Sequence, residues 1–263
     1  MLVALVLAAC GGEDSPAPDE RSPQPSPQAG SEPAPRAESE PTAKAHESKS
    51  KLSYTKIKFT SEDGEQRSGR LFGAGDVGVV LSHMGRPGDG QRDWRRFAER
   101  LADKDLRVLT YQGRGSLSQT WSDVIGAVDR LRTEGAETVI AAGASIGAMA
   151  SLQAATRPEA EIDAVLWLAG VLSNSGYDFE ERDVSHLGCP MLIVSGDSDS
   201  YGADIDARRL HRWTAKVSEL HLVDSDLHGT DILTEGDPGV AGELRRSMIG
   251  FIEAVADRSP APC

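Results

Sequence analysis

Little in this sequence suits a metal centre or a nucleic-acid surface. Only three cysteines, Cys10, Cys189 and Cys263, are spread along 263 residues. None sits in a C-x-x-C or His-rich pattern, so a structural zinc site is not expected. Lys and Arg number 28 against 41 Asp and Glu, for a formal net charge of −13. With no basic stripe to neutralise phosphates, nucleic acid is not an expected partner. The same acidity disfavours anionic substrates. No apolar run approaches the roughly 20 residues of a bilayer-spanning helix, and no internal repeat is visible.

What is present divides the chain in two. Residues 1–9 read MLVALVLAA, an apolar run ending in small residues, with Cys10 next and the polar Gly11-Gly12-Glu13 after it. Leu7-Ala8-Ala9-Cys10 resembles the lipobox of bacterial lipoproteins. That resemblance implies a signal peptide over 1–9, cleavage before Cys10, and lipid on the cysteine. It implies in turn a protein exported to the cell envelope and held to a membrane by its anchor. Residues 11–50 hold eight of the 14 prolines among Ser, Glu, Gln and Ala, with no aromatic or large aliphatic residue. Such a segment buries too little apolar surface to offset its chain entropy, so 10–50 reads as an anchor cysteine followed by a disordered tether.

From about residue 51 the pattern changes to alternating strands and helices. Residues 52–60 alternate polar and apolar, and 69–73 follow as a hairpin partner. Short apolar runs at 77–82 (VGVVLS), 106–111, 138–142, 164–169 and 191–195 read as strands buried on both faces. Amphipathic helices are expected over 92–104, around Trp121 to Leu131, over 148–156, around Leu210 and Trp213, and over 240–255. A last strand is expected over 219–223. The alternation predicts an α/β domain over 51–258, a mostly parallel doubly wound sheet, followed by a short tail over 259–263. About twenty residues separate the strands near 169 and 191, which leaves room for little or no cap domain.

Chemistry concentrates on Gly143-Ala144-Ser145-Ile146-Gly147. This G-x-S-x-G lies between a predicted strand and a predicted helix of small residues. A nucleophilic serine needs that setting: a strained turn that only small neighbours tolerate, with a helix N-terminus beneath the developing charge. A Gly-rich helix start that binds phosphate, or nothing, would look alike in isolation. Serine also needs a base. Of six histidines, His46 falls in the tether, His211 on a helix, His221 inside a strand and His186 in a loop before residue 191. His83 follows the strand over 77–82. His228 follows the last strand, where an open α/β sheet places its ligand-binding groups, and is the preferred base. The strand over 191–195 runs into Gly196-Asp197-Ser198-Asp199, and either aspartate could orient the imidazole.

Together these residues resemble the α/β-hydrolase fold family, over roughly residues 52–256. The order Ser145, Asp199, His228 is similar to that family's order of nucleophile, acid and histidine, and Gly196-x-x-Asp199 resembles its acid turn. Ser82-His83-Met84-Gly85 resembles its His-Gly oxyanion loop, with Met84 where Gly is common. Residues 106–116 resemble its strand and Asp-x-x-Gly loop, with Gln112 in place of the aspartate. The small lidless esterases and the dienelactone-hydrolase-like group are closest in character, although the latter often carries a cysteine nucleophile. The resemblance implies hydrolysis of a small-molecule acyl substrate through a Ser145–Asp199–His228 triad. It implies an oxyanion hole from the N–H of Ile146 and that of Met84 or Gly85, and no cofactor. Two other classes stay open: a surface lipoprotein that binds without catalysis, and a thioesterase, amidase or peptidase on the same fold. Cys189 is a poor alternative nucleophile, because it precedes Pro190 at the N-terminal end of a strand. Cys189 and Cys263 are instead free to pair in an oxidising compartment.

Overall fold

Alternation and continuity of apolar residues separate the edge of the sheet from its centre. The computed structural model describes residues 54–258 and 261–263, within one compact unit. The expected signal peptide, Cys10 and the tether lie outside the described residues. Strand β1 (Thr55–Thr60) buries only Ile57 and Phe59, every second residue, and pairs antiparallel with β2 (Gln66–Phe72). By contrast β3 (Val77–Ser82), β4 (Arg107–Tyr111), β5 (Thr138–Ala144) and β6 (Ala164–Leu168) are buried almost throughout. A two-residue pair, β7 (Ser173–Asn174) and β8 (Tyr177–Asp178), forms a small hairpin outside the main sheet. Strand β9 (Met191–Gly196) is fully buried, and β10 (Ser218–Val223) is the partly exposed far edge. The eight-stranded order is β1-β2-β4-β3-β5-β6-β9-β10. Only the β1–β2 and β2–β4 pairings are antiparallel; the rest are parallel.

Helices cover both faces, as parallel pairing requires. Helix α1 (Arg95–Ala102) turns Phe97, Ala98 and Leu101 inward. Its start is later than the pattern predicts, because residues 91–94 form a turn in which Trp94 is buried rather than helical. Helices α2 (Thr120–Thr133), α3 (Ile146–Ala155) and α5 (Ala203–Trp213) line one face of the sheet. The short α4 (Glu181–Val184) follows the β7–β8 hairpin, and the two are all that separates β6 from β9. Helix α6 (Asp231–Thr234) and α7 (Pro238–Arg258) join α1 on the other face. The two cores interleave through single strands: Val139 and Ala141 of β5 face one, Ile140 and Ala142 the other.

The chain end returns to the domain. The Cys263 N–H donates to the Ile162 carbonyl at 2.7 Å, and Cys263 is disulfide-bonded to Cys189. The last residue therefore belongs to the folded unit rather than to a loose tail.

Candidate active site

The C-terminal ends of β3, β5, β9 and β10 bring four loops together. At the end of β5, Ser145 adopts φ 53° and ψ −119°, a backbone that a residue with a Cβ rarely occupies. Such a conformation costs on the order of 1–3 kcal/mol, and the surrounding contacts must hold it. They are tight. A Cβ on Gly143 would lie 2.1 Å from the Gly147 carbonyl oxygen. One on Gly147 would lie 2.4 Å from the Ser82 oxygen and 2.7 Å from that of His83. Both glycines of the motif are thus required by close backbone approach, one within the turn and one against β3. The Ser145 N–H donates to the Leu168 carbonyl at 2.9 Å, and its own carbonyl accepts from Ala148 at 2.9 Å and Met149 at 3.1 Å. From residue 138 to 152 Ser145 alone is not buried. Ile146 opens α3, so its N–H has no acceptor within the helix.

Beyond β9, Asp199 is buried and meets buried His228 from the loop after β10. The imidazole Nδ1 lies 2.9 Å from Oδ2 and 3.0 Å from Oδ1. Asp199 Oδ1 also accepts the backbone N–H of Tyr201 at 2.8 Å. Asp197 is exposed, and its carboxylate accepts only from the neighbouring Ser198 hydroxyl at 3.1 Å. The two loops are zipped together by Ser198 N–H to Ser225 O at 3.3 Å and Ser200 N–H to Asp226 O at 3.2 Å. Gly196 fits there because a Cβ would stand 2.3 Å from the Ser225 oxygen. Gly229 carries φ 56°, and a Cβ on it would reach Met84 Sδ at 2.4 Å and Ala144 Cβ at 3.4 Å. That contact seats the histidine loop against the residue before Ser145. Among the described residues no hydrogen bond joins Ser145 to His228.

The loop after β3 completes the rim. Met84 is buried and packs beneath Gly229, while Gly85 lies against Ile146, where a Cβ would come within 2.9 Å of Cγ1. His83 is occupied on both ring nitrogens: Nε2 accepts from the Gly113 N–H at 2.9 Å, so Nδ1 donates to the Met84 carbonyl. It therefore braces the loop and has no free nitrogen to act as a base. Gln112 packs its side chain against Gly90 in the same region. Trp94 Nε1 donates to the Ser82 carbonyl at 2.9 Å, which pins the end of β3. Arg86 forms a two-pronged pair with Asp231, at 2.6 and 2.9 Å, and also binds Asp89. It ties this loop to α6, three residues past His228. The hydrogen bonds it donates, to Asp231 first and Asp89 second, hold the guanidinium pKa still further above its usual range.

Other histidines are engaged elsewhere. His211 pairs with Ser218 at 2.8 Å, His221 with Glu243 at 3.1 Å, and His186 is exposed in its loop. Asp123, on the buried face of α2, binds Arg67 at 2.7 Å and Arg114 at 2.6 Å, and Arg114 reaches on to Asp63. This network fixes the loop after β4. The pattern of α2 carried a signal of it, a carboxylate one residue before the inward Val124. Tyr201 carries no such signal. Its ring centroid lies 4.4 Å from that of His228. A cavity of about 560 Å³ beside Pro190, Lys216 and Phe251 opens at the opposite end of the sheet and shares no group with this site.

No protein-family model matches the sequence, and no curated protein matches it as a relative. Solved structures do match in shape. The Pyrococcus furiosus esterase Pf2001 superposes with a TM-score of 0.64 at 14% identity, covering 77% of this chain and 91% of that one. Brefeldin A esterase, described as a bacterial homologue of human hormone sensitive lipase, gives 0.61 at 15% identity, covering 76% of each chain. The Thermogutta terrifontis esterase 2 phosphorylated by paraoxon gives 0.63 at 16% identity, covering 80% of this chain and 96% of that one. Identities this low speak to fold. With its strand order and its helices on both faces, the chain has the α/β-hydrolase fold.

Proposed function

We propose that this chain is a serine hydrolase that cleaves carboxylic esters. One observation carries the reading: a buried Asp199–His228 pair stands on the same rim as Ser145, which is only partly buried on a strained strand-to-helix turn. The Asp199 carboxylate accepts a hydrogen bond from Nδ1–H, which leaves Nε2 of His228 as the free base. Ser145 Oγ attacks the ester carbonyl as Nε2 takes its proton. The oxyanion receives the N–H of Ile146 and one from Met84 or Gly85, each worth about 3 kcal/mol in the transition state. His228 then protonates the departing alkoxide, and water repeats the sequence on the acyl-enzyme. The esterase character of the structural neighbours supports the reading.

The Leu7-Ala8-Ala9-Cys10 sequence supports a lipid-anchored protein of the cell envelope, with the hydrolase on a Pro-rich tether. The Cys189–Cys263 disulfide supports an oxidising compartment. The test is turnover of p-nitrophenyl esters by purified protein. Wild type should hydrolyse them with an acyl-enzyme burst, and Ser145→Ala should not. Equal activity in the two proteins overturns the assignment.

A further inference from the structure

The cavity of about 560 Å³ at the other end of the sheet lies between the starts of β9 and β10 and the second half of α7. Its walls are fixed. Cys189, between the lining residues Gly188 and Pro190, is bonded to Cys263. The Pro190 carbonyl accepts the Val165 N–H at 3.0 Å, and the Val217 carbonyl accepts that of Met191 at 2.9 Å. The floor is apolar, formed by Phe251 and Val255 of α7. Lys216, Arg246 and Arg258 also line it, all exposed, and none of them pairs with a carboxylate among the described residues. Glu219 is the one carboxylate of the lining. Glu243 and Glu253 of α7 are taken by His221 and Lys104, and exposed Asp257 is not in the lining. In a chain of net charge −13 this cavity therefore holds an excess of positive charge.

Glycine marks the same place. Most described glycines are required by a positive φ or by a close neighbour. Gly115, Gly188 and Gly250 are not: none has a left-handed φ, and a Cβ on any of them would meet no atom within 4 Å. Two of these three line this cavity, Gly188 from the loop before β9 and Gly250 from α7. Gly250 is the sharper case, because it sits inside a helix of 21 residues, where glycine is weaker than alanine. Nothing in the chain fills the space its missing side chain leaves; a bound molecule would. Arg246 and Arg258 stand more than three turns apart on α7, about 18 Å along its axis, with Gly250 and Ala254 between them. We propose that this trough binds an anionic amphiphile: an aliphatic chain along the floor beside Gly250 and Ala254, its phosphate or carboxylate head on the cations at an end. The site shares no group with the rim of Ser145, so the proposal stands apart from the serine-hydrolase reading.

Monomeric n-decyl phosphate, titrated into the full chain, should bind saturably and shift the amide resonances of Gly250 and Ala254. 1-Decanol, which lacks the charge, should bind several-fold more weakly. Gly250→Leu fills the floor with the volume of about three methylenes, each worth up to about fourfold, so it should weaken decyl phosphate by about 30-fold or more. Its Tm should not fall, because leucine is the better helix former, and ester turnover should not change. An exposed cation is worth up to about fivefold, so Arg246→Gln combined with Arg258→Gln should weaken binding by about that factor. Vesicles distinguish the sources of the head. If the Cys10→Ser chain sediments with phosphatidylcholine vesicles only when they contain phosphatidylglycerol, and Gly250→Leu abolishes this, the occupant is a membrane lipid. If it does not sediment yet still binds decyl phosphate, the occupant is a free amphiphile. Either result supports the site. No binding of decyl phosphate, equal binding in Gly250→Leu, 1-decanol binding as tightly, or shifts at Gly229 in place of Gly250 would overturn it.

Discussion

Replacing Asp199 by asparagine probes the site with the least change of shape. The carboxylate offers two acceptors to two donors: Oδ1 takes the Tyr201 N–H at 2.8 Å, and Oδ2 faces His228 Nδ1 at 2.9 Å. An amide offers one acceptor and one donor. If its oxygen keeps Tyr201, its NH₂ points at Nδ1, and the imidazole proton must move to Nε2. That tautomer cannot take the Ser145 proton. If the amide turns over, its NH₂ confronts the Tyr201 N–H, leaving that donor unpaired at a cost of about 1–3 kcal/mol. The wrong tautomer should therefore prevail by roughly one to two orders of magnitude. The lost charge on the imidazolium adds to this, and acid-to-amide changes in Ser-His-Asp enzymes reach about 10⁴ in kcat. We expect Asp199→Asn to lower kcat by about 10³–10⁴ on p-nitrophenyl butyrate, with Tm within a few degrees of wild type. Asp197→Asn should stay within about twofold, because that carboxylate is exposed and bonds only Ser198. A kcat within tenfold of wild type for Asp199→Asn, with collapse in Asp197→Asn, would refute the reasoning and move the acid two residues upstream.

Further outcomes follow from other contacts. Gly147→Ala would drive a methyl to 2.4 Å from the Ser82 carbonyl. It should destabilise by about 1–3 kcal/mol and lower kcat, as thermal melts and kinetics would reveal; a wild-type Tm would contradict the packing. The Cys189–Cys263 bond closes a long loop, so Cys263→Ser should cost about 2–4 kcal/mol in urea unfolding, and an unchanged midpoint would argue against it. Asp63 is held well below the usual carboxylate range, chiefly by its hydrogen bond from Arg114. A lowered folded-state value stabilises above the unfolded one, near pH 3.9, and that stability is lost on further acidification. Tm should thus fall below about pH 4, less steeply in Asp63→Asn. Cys10→Ser should move the protein from the membrane to the soluble fraction, read by fractionation and N-terminal mass spectrometry.

The sheet was legible because parallel strands are continuous apolar runs. VGVVLS at β3 and MLIVS in β9 announce burial on both faces without any help from context. Helix α1 was less so: the aromatic spacing of Trp94 and Phe97 reads as one helical face, yet Trp94 spends its indole N–H on the Ser82 carbonyl outside the helix. The Asp199–His228 contact depends on how two loops 29 residues apart zip together, which spacing alone does not reveal. In the sequence, the preference for Asp199 over Asp197 therefore rests on likeness to a turn and on its place further past the strand end. Arg86 and Tyr201 were invisible for a related reason. Each acts through a partner distant in sequence, Asp231 and His228, and neither residue type carries a motif.

Labelling by a fluorophosphonate, read by intact mass and peptide mapping, tests the central claim most directly. The account predicts one adduct per chain, on Ser145, absent in Ser145→Ala and strongly slowed in Asp199→Asn and His228→Ala. An unlabelled wild-type protein, or an adduct that persists in Ser145→Ala, would contradict it.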